Sequence, residues 1–305
     1  MKIGLKVGPA NWQDVLARAT PECAEVWFRL DWAERIEPIY AALQAKNIPF
    51  GIHFWAITSE GFEPNLAIET EGLAAETVEL VKQTIDIASH VGATYVNVHP
   101  GGLRRKYLDL DHSRLVVLDG QPLSLEQAES TLLPLAQHLN QYASQKKIQL
   151  LFETLPRHEG VGWSDPSGHL EVQVADNLPP STLLRLGENG LSLTNDFGHT
   201  LASFPELQGE DLQQKLVETT EKLAPFTKLI HLNTLVAPFN GTDSHNGILP
   251  EDFAQQVIPS ESVCREMLSQ FRAREDVWVV LEAPIDKMAE NYQVLSQWKA
   301  NNFSS

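Results

Sequence analysis

The chain has 305 residues, 43% hydrophobic and 21% charged, enough to bury a sizeable core either as two ordinary domains or as one large α/β barrel. Its net charge of −17, from 23 basic against 40 acidic residues, repels a polyanion and argues against a nucleic-acid partner. Cys23 and Cys264 stand far apart with no CxxC pair, which reads as two reduced thiols, and no apolar run nears the ~18 residues of a membrane span.

The opening MKIGLKVGPANW lacks a long apolar core and a small-residue cleavage site, so a cytoplasmic location is expected. From there, short apolar or β-branched runs alternate with longer amphipathic stretches, the pattern of βα units on a parallel sheet. Strands are expected at KIGLKVG (2–8), AEVWFRL (24–30), PFGIHFW (49–55), TYVNVHP (94–100), IQLLFET (148–154), GLSLTND (190–196), KLIHLNT (228–234) and VWVVLEA (277–283). The clearest helical patterns are Arg35–Lys46, Glu71–His90, Leu125–Ser144, Leu212–Leu223, Val263–Arg274 and Asp286–Ala300. Eight strands, each followed by a helix-like segment, predict one (β/α)8 barrel over residues 1–305, and no change of composition asks for a second domain. Three connections are long: Gly101–Leu123, with a hairpin turn expected at Asp119-Gly120, Pro156–Pro180, and Leu235–Pro259. All three follow strands, which puts them on the C-terminal face where barrels of this kind carry their sites.

Ligand-type side chains gather at the same strand ends. His53 lies near the end of the third strand and His99 at the end of the fourth. Glu153 closes the fifth, Asp196 the sixth with His199 one turn later, His231 lies within the seventh, Asp243 and His245 follow it, and Glu282 ends the eighth. Carboxylates in contexts as apolar as LLFET, LTND and VVLEAP are seldom buried unless paired or coordinated. Asp243 and His245 share a side because an extended chain alternates faces, and Asp196 and His199 share one if a helix starts there. So many acids at one rim need compensating cations, and the mixture of imidazole and carboxylate suits zinc, with manganese or iron at a more carboxylate-rich centre.

Over most of its length, through GIHFW, NVHPGG, LLFETLP, TNDFGHT, LIHLN, DSH and VLEAP, the chain resembles the xylose-isomerase-like TIM-barrel superfamily. That group contains sugar isomerases and epimerases, inosose dehydratases and apurinic endonuclease IV. The endonuclease IV pattern implies three zinc ions: one on His53, His99 and Glu153; a second on Glu153, Asp196, His231 and Glu282; a third on His199, Asp243 and His245. The isomerase branch implies one metal, usually manganese, on Glu153, Asp196, His231 and Glu282. There the two glutamates transfer protons and His199 meets the substrate. The leading expectation is a metal-dependent isomerase, epimerase or related lyase acting on a small sugar, polyol or keto acid; the alternative is a trinuclear-zinc phosphoesterase.

Some features depart from both patterns. Position 237 is Ala where sugar epimerases often place an Arg, and HNGILPEDF carries only Gly247 where endonuclease IV is glycine-rich. Arg29, Arg104 and Arg157 are candidates for holding an anionic substrate group, although the run Arg104-Arg105-Lys106 also reads as a solvated surface segment. Trp27, Trp55 and Trp163 could stack on a sugar face or pack in the core. The expected partner is a small molecule, and the sequence does not set the oligomeric state.

Overall fold

The structure is a computed structural model that describes residues 1–112, 114–118, 120–160, 172–173 and 177–303. Eight parallel strands close into a barrel: β1 (Lys2–Val7), β2 (Cys23–Arg29), β3 (Phe50–Trp55), β4 (Tyr95–Val98), β5 (Gln149–Glu153), β6 (Ser192–Asp196), β7 (Thr227–Leu232) and β8 (Trp278–Leu281). Each pairs with its sequence neighbours, and β8 pairs with β1 to complete the ring. Around it run α1 (Trp12–Arg18), α2 (Ala33–Ala45), α3 (Leu73–Val91), α4 (Leu125–Gln145), α5 (Pro180–Glu188), α6 (Phe197–Ala202), α7 (Gly209–Leu223), α8 (Pro250–Phe253), α9 (Glu261–Gln270) and α10 (Met288–Ala300). This is the (β/α)8 TIM barrel expected from the alternation. No helix among the described residues is long and apolar enough to cross a membrane.

The six clearest helical patterns all form, displaced by a few residues at their ends. α4 starts where it does because Ser124 accepts from the Gln127 amide (3.2 Å) while the Gln127 side chain accepts from the Ser124 amide (3.0 Å), a reciprocal cap for two donors that the helix leaves free. The short α1, α6 and α8 escape periodicity because seven residues or fewer span too few turns to show it.

Outward-facing strand residues and the inner faces of the helices form one continuous core, with Phe28, Phe152, Leu43, Ile85, Leu132, Leu216 and Met267 all buried. Inside the barrel, a second apolar cluster of Cys23, Tyr95, Leu151, Leu229, Trp278 and Val280 makes a plug. Tyr95 meets Trp278 edge to face at 5.3 Å. Room for these rings comes from glycine, since a Cβ at Gly51 would sit 2.1 Å from the Tyr95 ring and one at Gly4 would sit 2.2 Å from the Cys23 carbonyl. Side chains two residues apart share a face of a strand. One such step beyond the plug therefore places Glu25, Asn97, Glu153, and His231 in the next interior layer, above Cys23, Tyr95, Leu151 and Leu229.

The loops correct two expectations. An antiparallel hairpin does form after β4, but it joins Lys106–Asp109 to Arg114–Val117, so the turn precedes the expected Asp119-Gly120 position. Asp109 organises it, accepting from the His112 amide (3.3 Å) and from Arg114 Nε (2.8 Å), which does locally what an Asp-Gly pair was expected to do. Asp119 itself lies outside the described residues, as does Trp163. The run Arg104-Arg105-Lys106 is not uniformly solvated. Lys106 is 4% exposed and its ammonium is held by Glu63 (2.9 Å) and Asn177 (2.7 Å).

Gly51→Ala should destabilise the protein by at least ~1–3 kcal/mol in chemical denaturation, because the Tyr95 ring is boxed in by the plug and cannot yield to the added methyl. An alanine as stable as the parent would show that the plug can repack.

Candidate metal centre

Above the plug, the nine expected ligand residues all reach the C-terminal mouth. His53 ends on β3, and His99 follows β4. Glu153 and Asp196 are the last residues of β5 and β6, and Asp196 also caps α6 by accepting from the His199 amide at 2.7 Å. His231 lies on β7, and Glu282 directly follows β8, its amide bonded to the Leu232 carbonyl. Asp243 and His245 come from the long loop after β7, which is tied back by amide bonds between Thr234 and Asn246 and between Leu235 and Ile258.

They fall into three overlapping groups. His53, His99 and Glu153 present ligand atoms close enough to share one ion, with the two Nε2 atoms 3.3 Å apart and each about as far from Glu153 Oε2 (3.5 and 3.4 Å). Glu153, Asp196 and His231 form the second group. His231 Nδ1 lies 3.0 Å from Glu153, 3.6 Å from Asp196 and 3.1 Å from Glu282. In the third, His199 Nε2 and His245 Nε2 approach Asp243 Oδ2 at 3.5 and 3.1 Å, and Asp196 lies within reach of both histidines. His199 donates from Nδ1 to the Thr154 carbonyl (2.7 Å), which turns its other nitrogen toward this group.

Buried neighbours fix these side chains. Asn97 donates to Glu153, and its own oxygen accepts from Thr194 (2.6 Å). Asn233 donates to both Asp196 oxygens (3.2 and 3.0 Å), close against Gly198, where a Cβ would strike its side-chain oxygen at 2.1 Å. Lys6 bonds Glu282, and Glu25 lies behind His53 and His231. Sequence reasoning missed Lys6, Glu25, Asn97 and Asn233. A charged residue inside an otherwise apolar strand, as in KIGLKV and CAEVWFR, was the available signal for the first two.

The charge balance shows what this donor set fits. Glu153 is fully buried and burial pushes its carboxyl up, but the imidazoles of His231, His99 and His53 outweigh this and hold it well below the usual range. Glu282 follows the same balance against His231, Lys6 and His245. In return, burial lowers His231, and Glu25, Glu282 and Glu153 more than restore it, to well above an ordinary imidazole. His199 is raised likewise, against burial, by Asp196, Asp243 and Glu153, and His245 stands at about 9 through Asp243 and Glu282. Asp243 Oδ1 is buried without a hydrogen-bond partner. Imidazole protons thus do here what a cation would do, and the donor set of carboxylates and imidazoles fits a divalent metal.

Of the three arginines, Arg29 and Arg104 have partners or surroundings of their own. Arg29 pairs with Asp31 (2.6 Å) and stacks over Trp32 and Trp55 at 4.5 and 5.1 Å. Arg104 lines a separate cavity with Thr70, Leu118 and Leu123. The Arg157 backbone is tied to Ala202, next to the loop at Gly241. Trp27 stacks on Trp55 at 6.2 Å and meets Trp32 edge-on at 5.7 Å. Trp27 and Trp32, but not Trp55, line a cavity of about 540 Å³ that reaches Lys6, His245 and Glu282.

A family model described as xylose isomerase-like TIM barrel matches residues 15–298. Among solved structures, a D-tagatose 3-epimerase-like protein is 15% identical with a TM-score of 0.66, over 99% of this chain and 98% of that one. A D-allulose 3-epimerase from Methylomonas sp. is 12% identical with a TM-score of 0.63, over 98% of each chain. Endonuclease IV from Thermus thermophilus is 17% identical with a TM-score of 0.60, over 99% and 100%. At these identities the likeness is one of fold. No curated protein matches the chain.

Metal uptake should release several protons near neutral pH. A metal takes the neutral imidazole, whereas His199, His231 and His245 are all held above the ordinary range and carry protons that must leave. Affinity should accordingly climb as pH rises through the titration of these three imidazoles, that of His245 at about 9 among them. Titration calorimetry in two buffers of different ionisation enthalpy measures the release; equal heats in both would contradict it.

Proposed function

Because the chain belongs to the xylose isomerase-like TIM-barrel family, we propose that it is a divalent-metal-dependent isomerase, epimerase or related lyase acting on a small sugar, polyol or keto acid. The observation that carries this reading is the pairing of Glu153 and Glu282. Both are ionised and buried, both face His231 Nδ1 at 3.0 and 3.1 Å, and Glu282 also borders the roughly 540 Å³ cavity. Two carboxylates so placed can serve a substrate from two sides, one taking a proton and the other returning it. Glu153, Asp196, His231 and Glu282 would hold the metal, manganese or zinc, which when bound polarises a substrate carbonyl and makes the neighbouring C–H acidic.

The remaining roles belong to the chain's own residues. Lys6 holds one oxygen of Glu282 and His245 Nε2 meets the other at 2.8 Å, while Asn97 holds one oxygen of Glu153 and His231 Nδ1 meets the other at 3.0 Å. His199, anchored on the Thr154 carbonyl, presents Nε2 to the mouth and would meet a substrate hydroxyl. Trp27 and Trp32 supply apolar faces on which a sugar ring can stack. A net charge of −17 favours a small substrate over DNA.

A second reading has its own support. His53, His99, Asp243 and His245 gather at the flanks of the inner four residues, and one-metal isomerisation has no need of them. Three zinc ions on the full set would suit a phosphoesterase, since neighbouring ions activate a water and stabilise the leaving oxygen.

Elemental analysis of purified protein separates the two, with one manganese per chain supporting isomerisation and three zinc ions supporting hydrolysis. Under the first reading, a panel of ketoses, aldoses and inososes should exchange a carbon-bound proton with deuterated water in a metal-dependent way. Glu282→Gln should slow that exchange by ~10²–10⁴-fold. Exchange at the parental rate in this variant would remove Glu282 from proton transfer. Cleavage of an abasic duplex at low salt would replace the first reading with the second.

A further inference from the structure

Glu25 is fully buried in the middle of β2, and its two oxygens have different company. Oε2 accepts from the Tyr95 hydroxyl at 2.9 Å. Oε1 lies 3.2 Å from His53 Nδ1 and 3.0 Å from His231 Nε2. Glu25 Oε1, His53 Nδ1 and His231 Nε2 are all buried and none completes a hydrogen bond among the described residues, so each has a donor or acceptor to spare at these short distances. Their opposite ring nitrogens point into different groups. His53 Nε2 faces His99 and Glu153 (3.3 and 3.5 Å), and His231 Nδ1 faces Glu153 and Glu282 (3.0 and 3.1 Å).

We propose that Glu25 is a positioning residue shared by two metal-ligand histidines, its Oε1 taking the spare N–H of both, so that His53 binds through Nε2 and His231 through Nδ1. A ligand imidazole has one nitrogen for the metal, and its partner nitrogen must give its proton to an acceptor. Glu25 is an acceptor within reach of both rings, and it selects opposite tautomers because its Oε1 meets the Nδ1 edge of His53 and the Nε2 edge of His231. Tyr95 holds the carboxylate's far oxygen, linking the apolar plug to the orientation of the ligands. The four side chains Glu25, His53, His231 and Glu282 are close enough to hold a cation of their own. Lys6 supplies one already, bonded to Glu282 and 3.7 Å from Glu25 Oε1. Glu25 therefore acts behind the ligands rather than as one of them.

This assignment rests on the second reading, in which His53 as well as His231 is a metal ligand, and zinc itself is the probe. Zinc affinity is measured by chelator competition in the parent, Glu25→Ala, Glu25→Gln and Tyr95→Phe, alongside two-bond proton–nitrogen spectra of the histidines. In the zinc-loaded parent, the retained N–H should be on Nδ1 of His53 and on Nε2 of His231. Glu25→Ala should lose ~10–100-fold in zinc affinity, as removal of such an acceptor does. Glu25→Gln, nearly isosteric should the alanine fail to fold, keeps one accepting oxygen and should lose less; Tyr95→Phe should lose least. Both histidines binding through the same nitrogen would overturn the proposal, as would Glu25 variants that bind zinc like the parent or lose a zinc ion held by Glu25 itself. A parent that takes up no zinc, or binds it without His53, would instead overturn the second reading on which it stands.

Discussion

Glu25, Glu153, Asp196 and Glu282 bring four carboxylates into the mouth of one barrel with almost no contact with solvent. Each such ion costs several kcal/mol to bury even after relaxation, roughly, and the cost is recovered only through close counter-charge and hydrogen bonds. Most of what surrounds the site answers that demand. Lys6 neutralises Glu282 from β1, and Asn97 and Asn233 donate to Glu153 and Asp196 from β4 and from just beyond β7. The histidines are interleaved with the acids, and three of them are driven toward the protonated state. A site that raises its own imidazoles in this way has more negative charge than its fixed cations balance, which is the condition a divalent metal satisfies.

The plug beneath the site is part of the same arrangement. Tyr95 belongs to the apolar interior cluster, yet its hydroxyl reaches up to Glu25. Gly51 and Gly4 are small so that Tyr95 and Cys23 can fill the barrel axis. Packing density below thereby limits how far the polar layer above can move, and close-packed interiors transmit such constraints over short distances. Loop residues complete the centre from outside: His245 is at the exposed rim, and Asp243 sits between it and His199.

Much of this was legible in the sequence because it depends on local pattern. Alternating apolar runs and amphipathic stretches specified the barrel, and carboxylates ending apolar strands, as in LLFE and LTND, marked Glu153 and Asp196. Other features were legible only in part. Lys106 looked like the tail of a basic surface run, and became buried because its strand pairs in a hairpin that brings it beside Glu63 and Asn177. Arg29 reads from the sequence as an anion site at a strand end, and its company of Asp31 and two tryptophans was visible only in the fold.

By itself, then, the sequence determined the fold and the inventory of ligand-type residues at strand ends, because period-2 alternation and strand termini are written in neighbouring residues. Only the tertiary structure decided which ligands share a group and which nitrogen of each histidine faces it. It also recruited Glu25, Lys6, Asn97 and Asn233 behind them. Those choices depend on how β1, β2, β4 and β7 register across the closed barrel, and contacts such as Lys6 to Glu282 join residues near opposite ends of the chain. No local pattern encodes a meeting of that kind; closure of the barrel creates it.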